Sequence, residues 1–225
     1  MNELELRNLY VDALRAYYGA TEGDSRHREI IDYYNTLKPL PRGYIMTYTA
    51  DWCVAFTVAV AVKLGLTDII HPEVSCPEAK KLYQAEGRWV GDRNYIPQPG
   101  DFLLYDWNKD GGPNHWSTVV RVTDGVIRTI EGNMGDKVWH RDVQIGDSRI
   151  LGYCLPDYAK KAAELKPKKK FRDVPGNAWY TESVERCAEL GLMVGVAEDK
   201  FGVGEPVTRE QLATVMVRLY DLLKK

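Results

Sequence analysis

The stretch from Asp51 to Gly65, DWCVAFTVAVAVKLG, constrains this chain more than any other. Cys53 is followed by eleven residues, 54–64, of which only Thr57 and Lys63 are polar. Val58, Val60 and Val62 alternate as they would in a buried strand, so periodicity alone leaves strand and helix open. Length, the four alanines between Ala50 and Ala61, and Gly65 as a stop favour a helix. A helix apolar all round belongs inside a domain. Cys53 then stands at the N-terminus of a buried helix, where unpaired N–H groups and the helix dipole favour an anion. In such settings a thiol pKa falls from about 8.5 to roughly 3.5–7.5, and the thiolate is the nucleophile. The same cysteine also fits as a small core hydrophobe, and this stretch alone does not separate the two.

Upstream, Leu4 to Tyr18 is amphipathic, with Leu6, Leu9, Tyr10, Ala13, Leu14 and Tyr17 on one side and Gly19 as its end. A second helix is expected from Arg26 to Leu37, with Ile30, Ile31, Tyr34 and Leu37 inward. Ser75-Cys76-Pro77-Glu78 reads as a capping box opening a short helix to about Glu86. From Ile96 the pattern changes to strands: Asp101–Trp107, Trp116–Val122, Val126–Ile130, Val138–Val143 and Ile150–Leu155. Helices first and antiparallel strands afterwards is the α+β pattern.

Residues 159–170 hold Lys160, Lys161, Lys166, Lys168, Lys169 and Lys170 around one proline, which reads as a solvated linker, with the domain boundary near Leu165. The division expected is 1–158, a 159–170 linker, and a small all-α module over 171–225. A net charge of −2 gives no electrostatic reason for a nucleic-acid partner. No run approaches the ~18 apolar residues that would suggest a membrane span. MNELELRNLY has neither a basic n-region nor an apolar h-region, so a chain made in the cytoplasm without a secretory signal is expected. Four widely spaced cysteines and four histidines give no zinc pattern and no disulfide framework.

A cysteine nucleophile in acyl transfer needs a base and a group to hold that base. His115 opens a strand, and Glu131-Gly132-Asn133 ends the neighbouring strand of the same hairpin. A two-residue Asp124-Gly125 turn, pairing 123 with 126, would put His115 and Glu131 on opposite faces. A three-residue loop from Thr123 to Gly125, pairing 122 with 126, would bring His115 opposite Asn133 with Glu131 on the same face. The chemistry therefore predicts the three-residue loop.

ADWCVAF, PQPGDFLLYDW, PNHWSTVVRV, IRTIEGN and LGYCLPDY together resemble the CHAP family of cysteine- and histidine-dependent amidohydrolases/peptidases, over most of residues 1–158. The resemblance implies a papain-like fold, with N-terminal helices packed on an antiparallel sheet. It makes Cys53 the nucleophile, His115 the general base and Glu131 its orienting group, with Asn133 beside it. It implies hydrolysis of peptidoglycan, at the muramoyl–L-alanine amide or within the stem or cross-bridge peptide, with no cofactor required. The oxyanion would be held partly by the Cys53 backbone N–H, with Tyr48 and Asp51 as candidate side-chain helpers. The family usually has Gly or Val after the histidine; Trp116 and Ser117 stand there instead, which narrows the expected cleft. Trp52 and Trp116, next in sequence to Cys53 and His115, are expected to touch substrate. Absence of a signal favours a phage-lysis enzyme acting at the bacterial wall, with a secreted autolysin as the nearest rival. A non-catalytic wall binder, or a cytosolic acyltransferase or isopeptidase, would be the alternative classes.

Asp106-x-Asn108-x-Asp110-Gly111 matches the first half of a calcium loop, but Ser117 stands where the bidentate carboxylate belongs. A polar hairpin loop and a weak calcium site are both open. In the C-terminal segment, Phe171-x-Asp173-Val174, Trp179, Gly191–Gly195, Phe201 and Thr208-Arg209-Glu210 resemble one S-layer homology (SLH) module. Its core would comprise Phe171, Val174, Trp179, Val184, Ala188, Leu192, Phe201, Leu212 and Met216, with ligand stacking as a second role for Trp179. The resemblance implies binding to a secondary cell-wall polymer, and Arg209 suits a pyruvylated or carboxylated sugar. The family commonly uses three repeats; with one, the module either binds weakly alone or associates as a homotrimer.

Overall fold

The computed structural model describes residues 1–165 and 171–224, which divide into two compact units, Met1–Leu165 and Lys166–Lys225. The first unit is α+β. Helix α1 (Glu3–Arg15) starts at a reciprocal cap in which Asn2 and Glu5 bond each other's backbone N–H. Helix α2 (Ser25–Asn35) is capped by Asp24. Helix α3 (Cys53–Leu64) is the apolar stretch: every residue from Cys53 to Ala61 is buried, and Gly65 ends it in the left-handed conformation. Helix α4 (Cys76–Ala85) follows, then the strands β1 (Trp89–Val90), β2 (Phe102–Tyr105), β3 (His115–Thr123), β4 (Val126–Glu131), β5 (Trp139–Gln144) and β6 (Ile150–Cys154). They form one antiparallel sheet of order β1-β6-β2-β3-β4-β5.

Strand alternation gives the sheet two buried faces. Phe102, Leu104, Trp116 and Ile130 pack with α1, α2 and α3, while Leu103, Tyr105, Val119, Ile127 and Tyr153 form a second cluster on the other side. Arg7 fastens α1 to the sheet by bonds to the Asp101 carboxylate and the Pro99 carbonyl, both at 2.9 Å.

Several local expectations are corrected. Leu9 lies on the exposed side of α1, and Leu37 is only half-buried. Ser75 precedes α4 but makes no side-chain cap; the Glu73 carboxylate instead accepts from the N–H groups of Val74 and Ser75. The short strand β1 carries no alternating run long enough to signal it. Residues expected to begin the linker form helix α5 (Tyr158–Glu164), whose Tyr158 and Ala162 are buried and whose Lys161 pairs with Asp68. Lys166, Lys168, Lys169 and Lys170 lie outside the described residues.

The β3–β4 hairpin differs most instructively. Its turn is the two-residue one, Asp124-Gly125 with both φ positive, and Thr123 pairs with Val126. The register then shifts between Val119 and Arg121, leaving Val120 as an extra residue. Beyond this bulge Val119 pairs with Thr129 and Thr118 with Ile130. In that register Glu131, the last residue of β4, takes the sheet face of His115, the face relationship the three-residue loop would have produced. The turn expectation was wrong; the bulge restores the face relationship it was meant to deliver.

The second unit contains α6 (Thr181–Glu189) and α7 (Arg209–Leu223), the latter opened by a reciprocal Thr208–Gln211 cap. Asp173 is its polar anchor. Its carboxylate accepts from the N–H groups of Phe201, Gly202 and Val203 at 2.8–3.0 Å, and desolvation is outweighed by these donors, which hold its pKa down at about 2. Phe171 and Val184 are buried as expected, but Trp179, Leu212 and Met216 are exposed. In a unit of this size little apolar surface can be enclosed, and the expected core was drawn too large.

Candidate active site

Cys53 is the first residue of α3, so its backbone N–H has no carbonyl one turn back to bind. Only 8% of the residue is exposed. Its sulfur is electrostatically coupled to the ring of His115 and to the Val54 N–H. Across the ring, His115 Nε2 lies 2.9 Å from Glu131 Oε2, which leaves Nδ1 for the sulfur. Glu131 is fully buried and satisfied on every side: Thr129 Oγ1 donates at 2.8 Å, and the Arg141 guanidinium makes three contacts of 2.9–3.1 Å. Arg141 reaches it from β5, where it pairs with Thr129, and its guanidinium lies over the rings of Trp107 and Tyr105. The chain of interactions thus runs sulfur, imidazole, carboxylate, guanidinium.

Why the strand positions are right follows from alternation. Tyr105 pairs with His115 and stacks near it, with ring centroids 6.1 Å apart. His115, Glu131 and Tyr105 therefore share one sheet face, and Trp116 and Ile130 take the face packed by the helices. Gly132 then lets the end of β4 close on α3, since a Cβ there would stand 2.6 Å from Phe56 Cβ and 3.1 Å from the Trp52 ring.

The electrostatics favour an ion pair. Cys53 is lowered to about 5: the Cys76 thiol against its sulfur has the largest effect, burial opposes, and His115 and the Val54 N–H add to the lowering. His115 is raised to about 9, because its bonds to Cys53 and Glu131 outweigh the burial that disfavours its charge. Burial would raise the Glu131 carboxyl, yet His115 and Arg141 hold it below the ordinary carboxylate range. These shifts run in the direction that favours thiolate, imidazolium and carboxylate together, and the protons belong to the coupled group.

Other expected site residues go elsewhere. The Asn133 amide donates to Asp51 at 3.2 Å, tying the end of β4 to the loop before α3. The Tyr48 hydroxyl donates to Asp32 at 2.8 Å, and Asp51 is an acceptor, so neither is aimed as an oxyanion donor. Trp52 is fully buried against His27 and Phe56, and Trp116 is 2% exposed against Phe102 and Tyr83. Both are core residues, a correction to their expected place in the cleft. A cleft of about 430 Å³ lies at the loops that precede α3 and α4, lined by Arg42, Tyr44, Thr49, Ala50, Asp51, Val74 and Ser75. Its two walls are joined by the Arg42–Glu73 pair.

The Asp106–Asp110 loop does not fit a calcium ion. The Asp106 oxygens accept from the N–H groups of Asp110 and Gly111, Asn108 donates to Asp110, and Asp110 accepts from Gly112. Ser117 is buried and donates to the Leu103 carbonyl. Among the described residues no group of three His, Cys, Asp or Glu side chains could hold a metal ion. In the second unit Arg209 is the exposed first residue of α7, and Trp179 is 92% exposed beside Tyr180.

The CHAP domain model matches residues 43–133, and the S-layer homology domain model matches residues 170–213. The chain carries a CHAP domain followed by an SLH domain. Cys53, His115, Glu131 and Asn133 all fall inside the CHAP match, whereas Arg141, α1 and α2 complete the same compact unit from outside it. A cell surface protein of Thermoanaerobacter kivui is 43% identical over 49 residues, which make up 22% of this chain and 6% of that protein. The chain therefore matches only a small part of that relative's length. The crystal structure of Ly7917 with the hydrolyzing product of MDP aligns over 67% of this chain and 62% of its own, at 15% identity and a TM-score of 0.37, a likeness too loose to inform the site.

Sequence reasoning missed three residues at the CHAP site. Arg141 carried a signal, an arginine at an inward position of a strand that otherwise alternates. Thr129 carried none beyond its place two before Glu131. Cys76 stood in view as a second cysteine at the first position of a helix.

Proposed function

We propose that the CHAP domain is a peptidoglycan hydrolase that cleaves an amide, at the muramoyl–L-alanine bond or within the stem or cross-bridge peptide. The observation that carries this reading is the thiol at the start of α3 electrostatically coupled to a histidine whose far nitrogen is bound by a buried carboxylate. Cys53 thiolate attacks the carbonyl carbon, and the oxyanion forms against the unpaired N–H of Cys53. The His115 imidazolium gives its proton to the leaving amine. Its neutral form then takes a proton from water, which attacks the thioester and frees the acid. Glu131 keeps the ring oriented through both steps, and Arg141 keeps Glu131 in place.

The SLH domain supports action at the bacterial cell wall, with Arg209 and Trp179 as the exposed side chains offered to a secondary wall polymer. Monomeric binding and trimeric association predict different masses in light scattering. Mass spectrometry of digested sacculi identifies the bond: a free muramoyl lactyl group marks an amidase, and a free stem or bridge amine an endopeptidase. A new sugar reducing end, or equal inactivity of wild type and Cys53→Ala, would overturn the amide-hydrolase reading.

A further inference from the structure

The Cys53 sulfur lies 3.8 Å from the sulfur of Cys76. Both are buried, at 8% and 7% exposure, and each is the first residue of its helix, α3 or α4. No step of the proposed hydrolysis uses the Cys76 sulfur as a reactant. The other two cysteines provide the contrast: Cys154 is fully buried in the core, and Cys187 lies in the other unit.

We infer that Cys53 and Cys76 form a reversible oxidation site, in which a hydroperoxide oxidises Cys53 and Cys76 resolves it as a disulfide. A disulfide needs sulfurs about 2.05 Å apart, so the pair must close by less than the width of one atom. Asp51, two residues before Cys53, and Ser75, the residue before Cys76, line one cleft, so the loops leading into both helices meet at the same surface. Cys53 keeps 8% of its surface exposed, the opening a small peroxide would use.

The chemistry balances with hydrogen peroxide as the oxidant. The Cys53 thiolate attacks one peroxide oxygen, the O–O bond breaks, and the departing hydroxide takes a proton to become water. Cys53 is now a sulfenic acid, oxidised by two electrons. Cys76 then attacks the Cys53 sulfur as its own proton leaves; the S–O bond breaks, and a second water departs. Two thiols and one peroxide become one disulfide and two waters. The environment suits the order of events. Contact with the anionic Cys53 sulfur, together with burial, pushes the Cys76 thiol up, so Cys53 ionises and reacts first. Once Cys53 is a neutral sulfenic acid that repulsion is gone, and the start of α4 favours the Cys76 thiolate.

If Cys53 is also the hydrolytic nucleophile, as proposed above, the disulfide switches the enzyme off and shields its sulfur from irreversible oxidation. The test is peptide mapping of the full chain after hydrogen peroxide. Wild type should lose about 2 Da, yield a Cys53–Cys76 linked peptide, and return to its starting mass with dithiothreitol. Cys76→Ser and Cys76→Ala should instead gain about 32 Da at Cys53, a sulfinic acid that dithiothreitol does not reverse. Wild-type Cys53 reaching sulfinic acid without any linked peptide overturns the inference, and that result needs no variant to fold. The masses are read without hydrolysis, so failure of the hydrolase reading would appear separately, as wall clearing that survives Cys53→Ala.

Discussion

The three tryptophans expected to touch ligand divide between the two units in a telling way. Trp52 and Trp116 are buried in the CHAP unit, whereas Trp179 of the SLH unit is 92% exposed. The same contrast separates α3, with nine consecutive buried residues, from α7, which has none and leaves Leu212, Met216, Val217 and Tyr220 exposed. An apolar pattern states what a helix is able to bury; how much it does bury depends on what the rest of its unit supplies. In the CHAP unit the helices and a six-stranded sheet enclose α3. In the SLH unit the described chain offers α7 much less, and Asp173 ties residues 201–203 through three backbone donors.

The largest expected effect separates chemistry from scaffold. Cys53→Ala should abolish release of wall fragments, on the order of 10⁶-fold as for loss of an acyl-transfer nucleophile, with circular dichroism unchanged. Next, Trp52→Ala and Trp116→Ala should each destabilise the CHAP unit by about 3–5 kcal/mol, as buried aromatic truncations do. Trp179→Ala should stay within about 0.5 kcal/mol while weakening attachment to isolated walls. Denaturant melts of the three variants side by side test this, and a destabilised Trp179→Ala would erase the contrast.

Arg141→Gln should cost about 2–3 kcal/mol, less than a fully buried pair because Arg141 keeps 27% of its side chain in water. It should also lower kcat/KM mainly through kcat, because it loosens the group that holds His115 and touches no substrate. Partial recovery in Arg141→Lys would mark a positioning role. The smallest effect belongs to Asp173→Ala. Loss of its carboxylate should release the N–H groups of residues 201–203 and weaken wall attachment, leaving hydrolysis of soluble muropeptides as it was.

Much of the CHAP unit was legible in the chain, because α3 and the strand runs write their burial into local pattern. The pairing of Cys53 with His115 and Glu131 was legible through motif resemblance and face arithmetic. The route to that pairing was not, since no local signal marks Val120 as a bulge, whereas Asp124-Gly125 is a strong two-residue turn signal. Trp52 and Trp116 misled because adjacency in sequence is not adjacency in space: one strand position past His115 points at the opposite sheet face. Asn133 was expected beside His115 and instead fastens Asp51, a contact 82 residues away that no spacing rule reaches. The SLH core is smaller than its pattern implies for a related reason, because periodic apolar residues are buried only where something covers them.

The pH dependence of Cys53 alkylation by iodoacetamide, followed by mass spectrometry on the full chain, tests the thiolate–imidazolium pair most directly. Cys53 is lowered to about 5 and His115 raised to about 9, so the ion pair exists between those limits. Alkylation should therefore persist undiminished from neutral pH down to about 5 and collapse below it, as the sulfur takes up its proton. Hydrolysis should fall at both ends, below about 5 with the thiolate and above about 9 with the imidazolium. A Cys53 that alkylates only as pH rises through 8 to 9, like an ordinary thiol, would contradict the account at its root.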